Sequence, residues 1–251
     1  MNASIVLTPA ASKRLIARGV AAHPTVTRAM RDGRIVIARG TTNAFVAEEL
    51  LGQPIDRGAY AAGFIDRLWN VNARVGDMKE ILLERGRPAT GDPEKILASL
   101  GAGDVLIKGG NAIDPWGVVG VLLASPSGGT VGRYVPSAVA RGVDIIIPIS
   151  LSKSIHTSVV DLSQEMGSGR ISLHSGLACG LYPLHGQLIT EVEAMRLVAD
   201  VDAVHVASNG VGAGHGSVSL FLYGEEEEVK RAFALAEELV GETDVELAGR
   251  T

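Results

Sequence analysis

Short apolar runs separated by glycine and proline set the pattern of this chain. Three of them, Val105–Ile107, Val118–Ala124 and Ile145–Ile147, are rich in β-branched residues. Such runs are typical of strands buried on both faces, whereas a buried helix needs about ten or more residues. The breakers Gly109-Gly110 and Gly128-Gly129 leave no room for such a helix. We therefore predict an α/β fold, with a Rossmann-like, mostly parallel sheet and helices on both faces.

A strand, a small turn and a helix are predicted in succession over residues 34–51. Arg34–Ala38 is the strand and Ala44–Leu51 the helix, with Thr42 or Asn43 suited to its N-cap. The turn between them consists of Gly40, Thr41, Thr42 and Asn43. Backbone N–H groups, two hydroxyls and the positive end of the helix would bind an anion there. A well-capped turn without a ligand explains the same residues, and both interpretations stay open.

Two more loops follow the apolar runs of the central stretch. Lys108–Asn111 comes after the first run and Ser125–Thr130 after the second. Ligands bind outside the carboxyl ends of the strands in open α/β sheets. We therefore expect these loops and the turn at residues 40–43 to meet at one edge of one sheet.

The remaining helices are predicted from breakers and caps. Residues 10–32 predict one or two helices, and Asp92 with Pro93 begins another. Between them, residues 53–92 are interrupted by glycine and proline, and only Met78–Arg85 predicts a helix.

Pro136 constrains the helix that ends at Gly142. Proline is tolerated in the first turn of a helix but costs about 3 kcal/mol in its interior. We therefore predict that this helix starts no earlier than about Arg133 and that Gly128–Gly132 is a loop.

The C-terminal part changes in composition after about Gly167 and predicts a second domain. Its elements follow the order βαββαβ, which is typical of a ferredoxin-like domain. They are a strand around Leu188, helix Thr190–Ala199, strands Ala203–Ala207 and Ser217–Tyr223, helix Glu225–Val240 and strand Asp244–Leu247. We predict a ligand-binding domain over residues 1–178 and a ferredoxin-like domain over residues 179–251.

Composition and charge narrow the expected partners. The 251 residues include 28 Asp and Glu against 23 Lys and Arg, a net charge of −5. Without a basic stripe we expect no nucleic-acid binding. The N-terminus lacks a secretory pattern, and the apolar runs are shorter than the roughly 18 residues of a membrane span. The single cysteine, Cys179, allows no internal disulfide, and we expect a cytoplasmic protein without membrane contact.

Candidate chemistry lies in and beside the loops. Lys108 directly follows a predicted strand, where a lysine contacts either an anion or water. Asp114, in Asp114-Pro115, suits a general base if burial raises its pKa, and equally suits a plain turn. Arg133 would clamp an anion or lie on the surface. His215, between two glycines, is a candidate proton carrier or lid contact.

The histidines show no metal-ligand spacing and no cysteine pair accompanies them. We therefore predict no metal site, and no cofactor is expected. Cys179 is more typical of a small packed residue than of a nucleophile.

The turn Gly40–Asn43, the loop Ile107–Asn111 and the sequence Ser127–Thr130 together resemble a known superfamily. It is that of ribose-5-phosphate isomerase, glucosamine-6-phosphate deaminase and the CoA-transferase-like proteins. The resemblance covers about residues 30–150 and implies a Rossmann-like sheet, a phosphate-gripping Gly-Thr/Ser turn and, in the isomerase, a Lys-Gly-Gly loop beside the sugar. The isomerase's Asp-Gly-Ala-Asp motif does not precede Lys108, and Asp114 is the nearest carboxylate after it.

Together these features predict an enzyme that acts on a small phosphorylated or carboxylated metabolite, by isomerisation or a related lyase or transfer step. The predicted catalytic residues are Asp114 and Lys108. The predicted ligand-binding residues are Gly40, Thr41, Thr42, Asn43, Gly109, Gly110, Asn111, Ser127, Gly128, Gly129, Thr130, Arg133 and His215. A non-catalytic sensor and a structural assembly protein are the alternatives. The predicted partners are a small anionic metabolite and further copies of the chain in a homo-oligomer.

Overall fold

The computed structural model describes residues 1–65, 78–90 and 92–247. Within these ranges the helices are α1 (Pro9–Ala22), α2 (Pro24–Asp32), α3 (Thr41–Leu51), α4 (Arg57–Tyr60), α5 (Pro93–Ala98), α6 (Gly129–Ala140), α7 (Val159–Glu165), α8 (Glu191–Ala199) and α9 (Glu226–Leu239). The strands are β1 (Asn2–Leu7), β2 (Arg34–Ile37), β3 (Ile81–Glu84), β4 (Arg87–Pro88), β5 (Val105–Ile107), β6 (Ala112–Ile113), β7 (Val119–Leu123), β8 (Asp144–Pro148), β9 (Gly180–Leu184), β10 (Gln187–Ile189), β11 (Asp202–Ser208) and β12 (Val218–Tyr223). None of the described helices is long and apolar enough to cross a membrane.

Among the described residues, six strands form a central sheet in the order β10–β8–β5–β2–β3–β4. The first four are parallel, and β3 and β4 add an antiparallel edge. In this register Val36 lies opposite Leu106, and Leu106 lies opposite Ile145. The predicted α/β class and the predicted strands around residues 105–107 and 145–147 are confirmed.

Both faces of the central sheet are buried. Ile35 and Ile37 belong to one apolar core, which includes residues of α1 and α3. Val36 and Leu106 belong to a second core on the opposite face, together with Val135 of α6. Since successive strand residues face opposite sides, a strand covered on both faces is apolar at every position. That is why these strands appear in the sequence as unbroken apolar runs.

β7 lies in a different sheet from β5 and β8. It pairs antiparallel with β6 and β9, in the order β6–β7–β9. The prediction that all the loops leave one sheet is therefore wrong for Ser125–Thr130, which follows β7. Close packing explains the arrangement, because a Cβ on Gly110 would lie 2.1 Å from Cγ1 of Val119. The β6–β7 hairpin therefore folds directly over the loop that follows β5.

A further sheet joins β1 to two strands of the C-terminal part of the chain, in the order β1–β12–β11. β1 takes the place beside β12 that a ferredoxin-like domain would give to β10, and β10 instead pairs with β8. Residues 244–247 form no strand. The predicted strand at Asp244–Leu247 is therefore wrong, and these elements do not form the predicted βαββαβ topology.

Helices α1 and α8 link the N-terminal and C-terminal parts of the chain. A Cβ on Gly19 of α1 would lie 2.6 Å from Cβ of Ala194 of α8. Leu15 and Leu220, which lie on either side of the predicted domain boundary, belong to the same apolar core. The boundary between residues 178 and 179 stays a prediction.

The helix predicted at Met78–Arg85 is wrong. Ile81–Glu84 is strand β3, which pairs antiparallel with β2. Arg85 and Gly86 have φ values of 48° and 73°, and two successive positive values are the geometry of a two-residue hairpin turn. The buried side chain of Leu83 fixes this hairpin against the core.

Helix α6 starts at Gly129, earlier than Pro136 predicts. Pro136 lies inside the helix and provides no N–H for the carbonyl of Gly132. The prediction failed because burial of Val131, Tyr134 and Val135 against the sheet outweighs a cost of about 3 kcal/mol.

Candidate functional site

A cavity of about 210 Å³ lies where β2 and β5 end and where α3 and α6 begin. Residues of the turn 40–43, the loop 108–111 and the start of α6 line it. Because β2 and β5 are neighbouring parallel strands, the first two segments leave the same edge of the sheet. Asn111 joins them to β7, since its Oδ1 accepts from the N–H of Leu122 at 3.0 Å.

The first turn of α3 faces this cavity. The helix starts at Thr41 with Gly40 at the N-cap and no side-chain cap, so the prediction that Thr42 or Asn43 is the N-cap is wrong. Asn43 instead donates from Nδ2 to the carbonyls of Ala38 and Ile107, at 2.7 and 3.4 Å, and so ties the ends of β2 and β5 together. The N–H groups of a first helical turn have no partner within the helix. The cavity therefore meets free backbone donors and the positive end of the helix.

Packing excludes a side chain at Gly110 and leaves little room for one at Gly109. A Cβ on Gly109 would lie 3.2 Å from the carbonyl oxygen of Pro148, and one on Gly110 would overlap Val119. The loop backbone therefore lies close against both β7 and the end of β8. The carbonyl groups of Gly109 and Gly110 accept hydrogen bonds from lysines.

Lys108 and Lys153 both line the cavity. Nζ of Lys108 donates to the carbonyl of Gly109 at 2.7 Å, and Nζ of Lys153 donates to the carbonyl of Gly110 at 2.7 Å. Burial, together with the charge of Lys153, lowers the pKa of Lys108 to about 8. Burial, together with the charge of Lys13, lowers the pKa of Lys153 to about 8. Each amine therefore has a substantial neutral fraction close to physiological pH.

Arg39 adds another cation to the cavity wall. Its Nη2 donates to the carbonyls of Ala59 and Ala61 at 3.1 and 3.2 Å. In the described part of the chain, Nε of Arg39 and Oδ1 of Asn43 are buried without a hydrogen-bond partner. Leaving a buried polar atom unpaired costs about 1–3 kcal/mol. No carboxylate of the described residues lines the cavity, although the charge of Glu191 acts on Lys153 in the direction that raises its pKa.

Only part of the segment at the start of α6 lines the cavity. Gly128 and Gly129 have φ values of 75° and 54°, which other residues rarely adopt. Both glycines and Thr130 line the cavity. Ser127 is not among the lining residues, and its Oγ lies 3.0 Å from Oγ of Ser125.

Asp114 lies outside the lining of the cavity. Its Oδ1 accepts from the N–H groups of Trp116 and Val118 at 3.0 and 2.9 Å. Its Oδ2 accepts from the N–H of Val159, the first residue of α7, at 3.0 Å. The buried carboxylate thus holds the β6–β7 turn and caps α7. This geometry favours the turn interpretation of Asp114 over the catalytic one.

Arg133 and His215 also lie outside the lining of the cavity. The guanidinium of Arg133 forms ion pairs with Glu94 and, at 3.8 Å, with Glu80. It is therefore already paired with carboxylates. His215 is exposed and follows the short turn Gly212–Gly214.

Lys153 and Arg39 were missed by the sequence analysis. Lys153 lies on the loop that follows the carboxyl end of β8, where a parallel sheet places its ligand contacts. That position was the signal in the sequence that could have identified Lys153. The neighbouring residues in the sequence, however, do not distinguish it from an ordinary surface lysine. Arg39 directly precedes Gly40. The orientation of its guanidinium depends on hydrogen bonds to carbonyls of the 59–61 segment, which is distant in the sequence.

Comparison of the chain with protein-family models, with curated proteins and with solved structures finds no match. Among the residues that the structure describes, no group of His, Cys, Asp and Glu could hold a metal ion. The cavity and its charged side chains are therefore the features that point to a function.

Proposed function

We propose that the cavity binds the phosphate group of a small phosphorylated metabolite and that the protein is an isomerase-like enzyme. The observation that carries the proposal is the positive charge of the cavity wall. Arg39, Lys108 and Lys153 line it, and no carboxylate of the described residues does. Buried charges are costly unless a counter-charge accompanies them. A phosphate dianion would supply that counter-charge, and a carboxylate group would supply less of it.

The first turns of α3 and α6 complete the proposed anion site. The backbone N–H groups of Thr41–Asn43 and Gly129–Val131 are free of helical partners. Thr42 and Thr130, which carry hydroxyl groups, lie in the same turns and are among the residues that line the cavity. Each helix end contributes about 0.3–1 kcal/mol to anion binding, and more in a desolvated site.

Lys108 is the proposed proton carrier. Burial and the charge of Lys153 lower the pKa of Lys108 to about 8, so part of the Lys108 population is neutral near physiological pH. A neutral amine can remove a proton from a carbon next to a carbonyl, and the resulting ammonium can return that proton to the neighbouring position. Asp114 has no part in this scheme, because its carboxylate is engaged in the turn.

The Rossmann-like interpretation of the sheet and the resemblance to the ribose-5-phosphate isomerase superfamily belong to the same proposal. Parallel strands β10, β8, β5 and β2, with an apolar core on each face, support it. The position of the Gly40–Asn43 turn and the Lys108–Asn111 loop beyond the carboxyl ends of β2 and β5 supports it too.

Proton exchange in D₂O tests the proposed chemistry. The protein is incubated with phosphorylated hydroxy-aldehydes and hydroxy-ketones, with and without an apolar substituent. Proton NMR follows the exchange in each compound. We expect at least one of them to lose the signal of the proton next to its carbonyl. Lys108→Met should abolish this exchange. Lys95→Met should keep it, since Lys95 is exposed on α5 outside the cavity.

Two outcomes would contradict the proposal. Exchange that persists in Lys108→Met would remove that residue from the proton transfer. If no phosphorylated compound that binds exchanges its proton, the cavity is a binding site without isomerase chemistry.

A further inference from the structure

A second cavity, of about 360 Å³, adjoins the phosphate cavity. Thr41, Thr42, Phe64, Asn111 and Lys153 line both cavities. The first cavity alone, at about 210 Å³, is smaller than the roughly 300–1,000 Å³ of typical small-molecule sites. The proposed phosphate site therefore continues into a space that can hold the rest of a ligand.

The second cavity offers apolar surface. Its apolar lining consists of Pro9, Phe64, Ile65, Val245 and Leu247. The side chain of Ile65 is 59% exposed. The hydroxyls on the same wall are partly engaged with each other, since Oγ of Ser150 donates to Oγ of Ser152 at 2.9 Å. A ligand would gain most affinity in the second cavity by burying a hydrocarbon group against this apolar lining.

The C-terminal segment that carries Val245 and Leu247 is fixed by ion pairs. Arg14 and Arg57 both donate to the carboxylate of Glu242, at 2.7 and 3.0 Å. Lys13 donates to Oδ1 of Asp244 at 2.5 Å. The wall of the second cavity is therefore held against α1 and α4, and the charge of Lys13 already has a partner. A ligand needs no second anionic group to occupy this space.

We infer that the ligand is a phosphate monoester with an apolar organic group, which lies in the second cavity while the phosphate lies beside Lys108 and Lys153. This inference rests on the proposed phosphate site and narrows its ligand class. A fully hydroxylated sugar would leave the apolar wall in contact with water or with polar groups. Each methylene that is buried against the wall should raise the affinity about fourfold.

Isothermal titration calorimetry with three probes tests the inference: inorganic phosphate, glycerol 3-phosphate and hexyl phosphate. We expect hexyl phosphate to bind at least about tenfold more tightly than glycerol 3-phosphate, which corresponds to the burial of about two methylenes. Inorganic phosphate should compete with both. If glycerol 3-phosphate binds as tightly as hexyl phosphate, the inference is wrong and the phosphate site stands. If none of the three probes binds, the proposed function itself fails.

A pair of surface variants locates the organic group. Ile65→Ser should weaken hexyl phosphate binding about threefold or more and leave inorganic phosphate binding unchanged. Val240→Ser is the matched control, because Val240 is also exposed and does not line the second cavity. Equal hexyl phosphate affinity in Ile65→Ser and in the wild type would contradict the placement.

Discussion

Lys108 and Lys153 donate hydrogen bonds to neighbouring carbonyl groups of one loop, those of Gly109 and Gly110, each at 2.7 Å. The lysines lie on separate loops, after the neighbouring parallel strands β5 and β8. The strand order of the sheet therefore brings two ammonium groups to one wall of the cavity. Since no carboxylate of the described residues lines that wall, an anionic ligand is the natural counter-charge.

The affinity for a phosphate ester should fall as the pH rises through about 8. The pKa values of Lys108 and Lys153 are both lowered to about 8, so the ammonium charges are lost above that pH. The ester itself, with a second pKa of about 6, stays a dianion from about pH 7 upward. Titration calorimetry with hexyl phosphate between about pH 7 and pH 9.5 measures the change. A constant affinity over that range would contradict the role of the lysines.

Asp114→Ala should destabilise the protein without changing the phosphate-binding residues of the cavity. The change leaves the N–H groups of Trp116, Val118 and Val159 without their acceptor, at a cost of about 3 kcal/mol. Urea denaturation measures the loss. Asp114→Asn keeps an acceptor oxygen and should retain wild-type phosphate affinity. A folded Asp114→Asn protein that no longer binds phosphate would return Asp114 to the functional site.

Gly19→Ala tests the contact between α1 and α8. In a helix interior, alanine is about 1 kcal/mol more favourable than glycine, so an unpacked helix would be stabilised. Here the added Cβ would lie 2.6 Å from Cβ of Ala194, and we expect a loss of about 1–3 kcal/mol instead. Gly101→Ala is the control, because no atom lies within 4 Å of its added Cβ. A gain of stability in Gly19→Ala would show that the two helices are not packed together.

Much of the fold was predictable because its signals are local. β2, β5 and β8 are buried on both faces, and this makes each of them a continuous apolar run. The N-cap role of Asp92 was also correct, since its side chain accepts from the N–H of Glu94. What was missed depends on distant partners. The pairing of β1 with β12 joins strands that are about 210 residues apart in the sequence, and no local pattern specifies it.

The candidate site, like the fold, was predictable where the signal is local in the sequence. Lys108 directly follows β5 and Thr42 lies at the start of the helix that follows β2, where ligand contacts are expected, and both line the cavity. Asp114 has the residue type of a general base, but three backbone N–H groups engage its carboxylate. Arg133 suits an anion clamp by residue type, yet its guanidinium forms an ion pair with Glu94 of α5. Residue type alone did not reveal these partners.

Calorimetric titration of inorganic phosphate into three proteins at about pH 7.5 tests whether Lys108 and Lys153 make this cavity a phosphate site. They are the wild type, the double variant Lys108→Met/Lys153→Met and the control Lys95→Met. Because each charge-assisted hydrogen bond contributes about 1.5–3 kcal/mol, the double variant should bind at least about a hundredfold more weakly than the other two. Equal phosphate binding by the double variant and the wild type, or no binding by the wild type, would contradict the account of this cavity as a phosphate site.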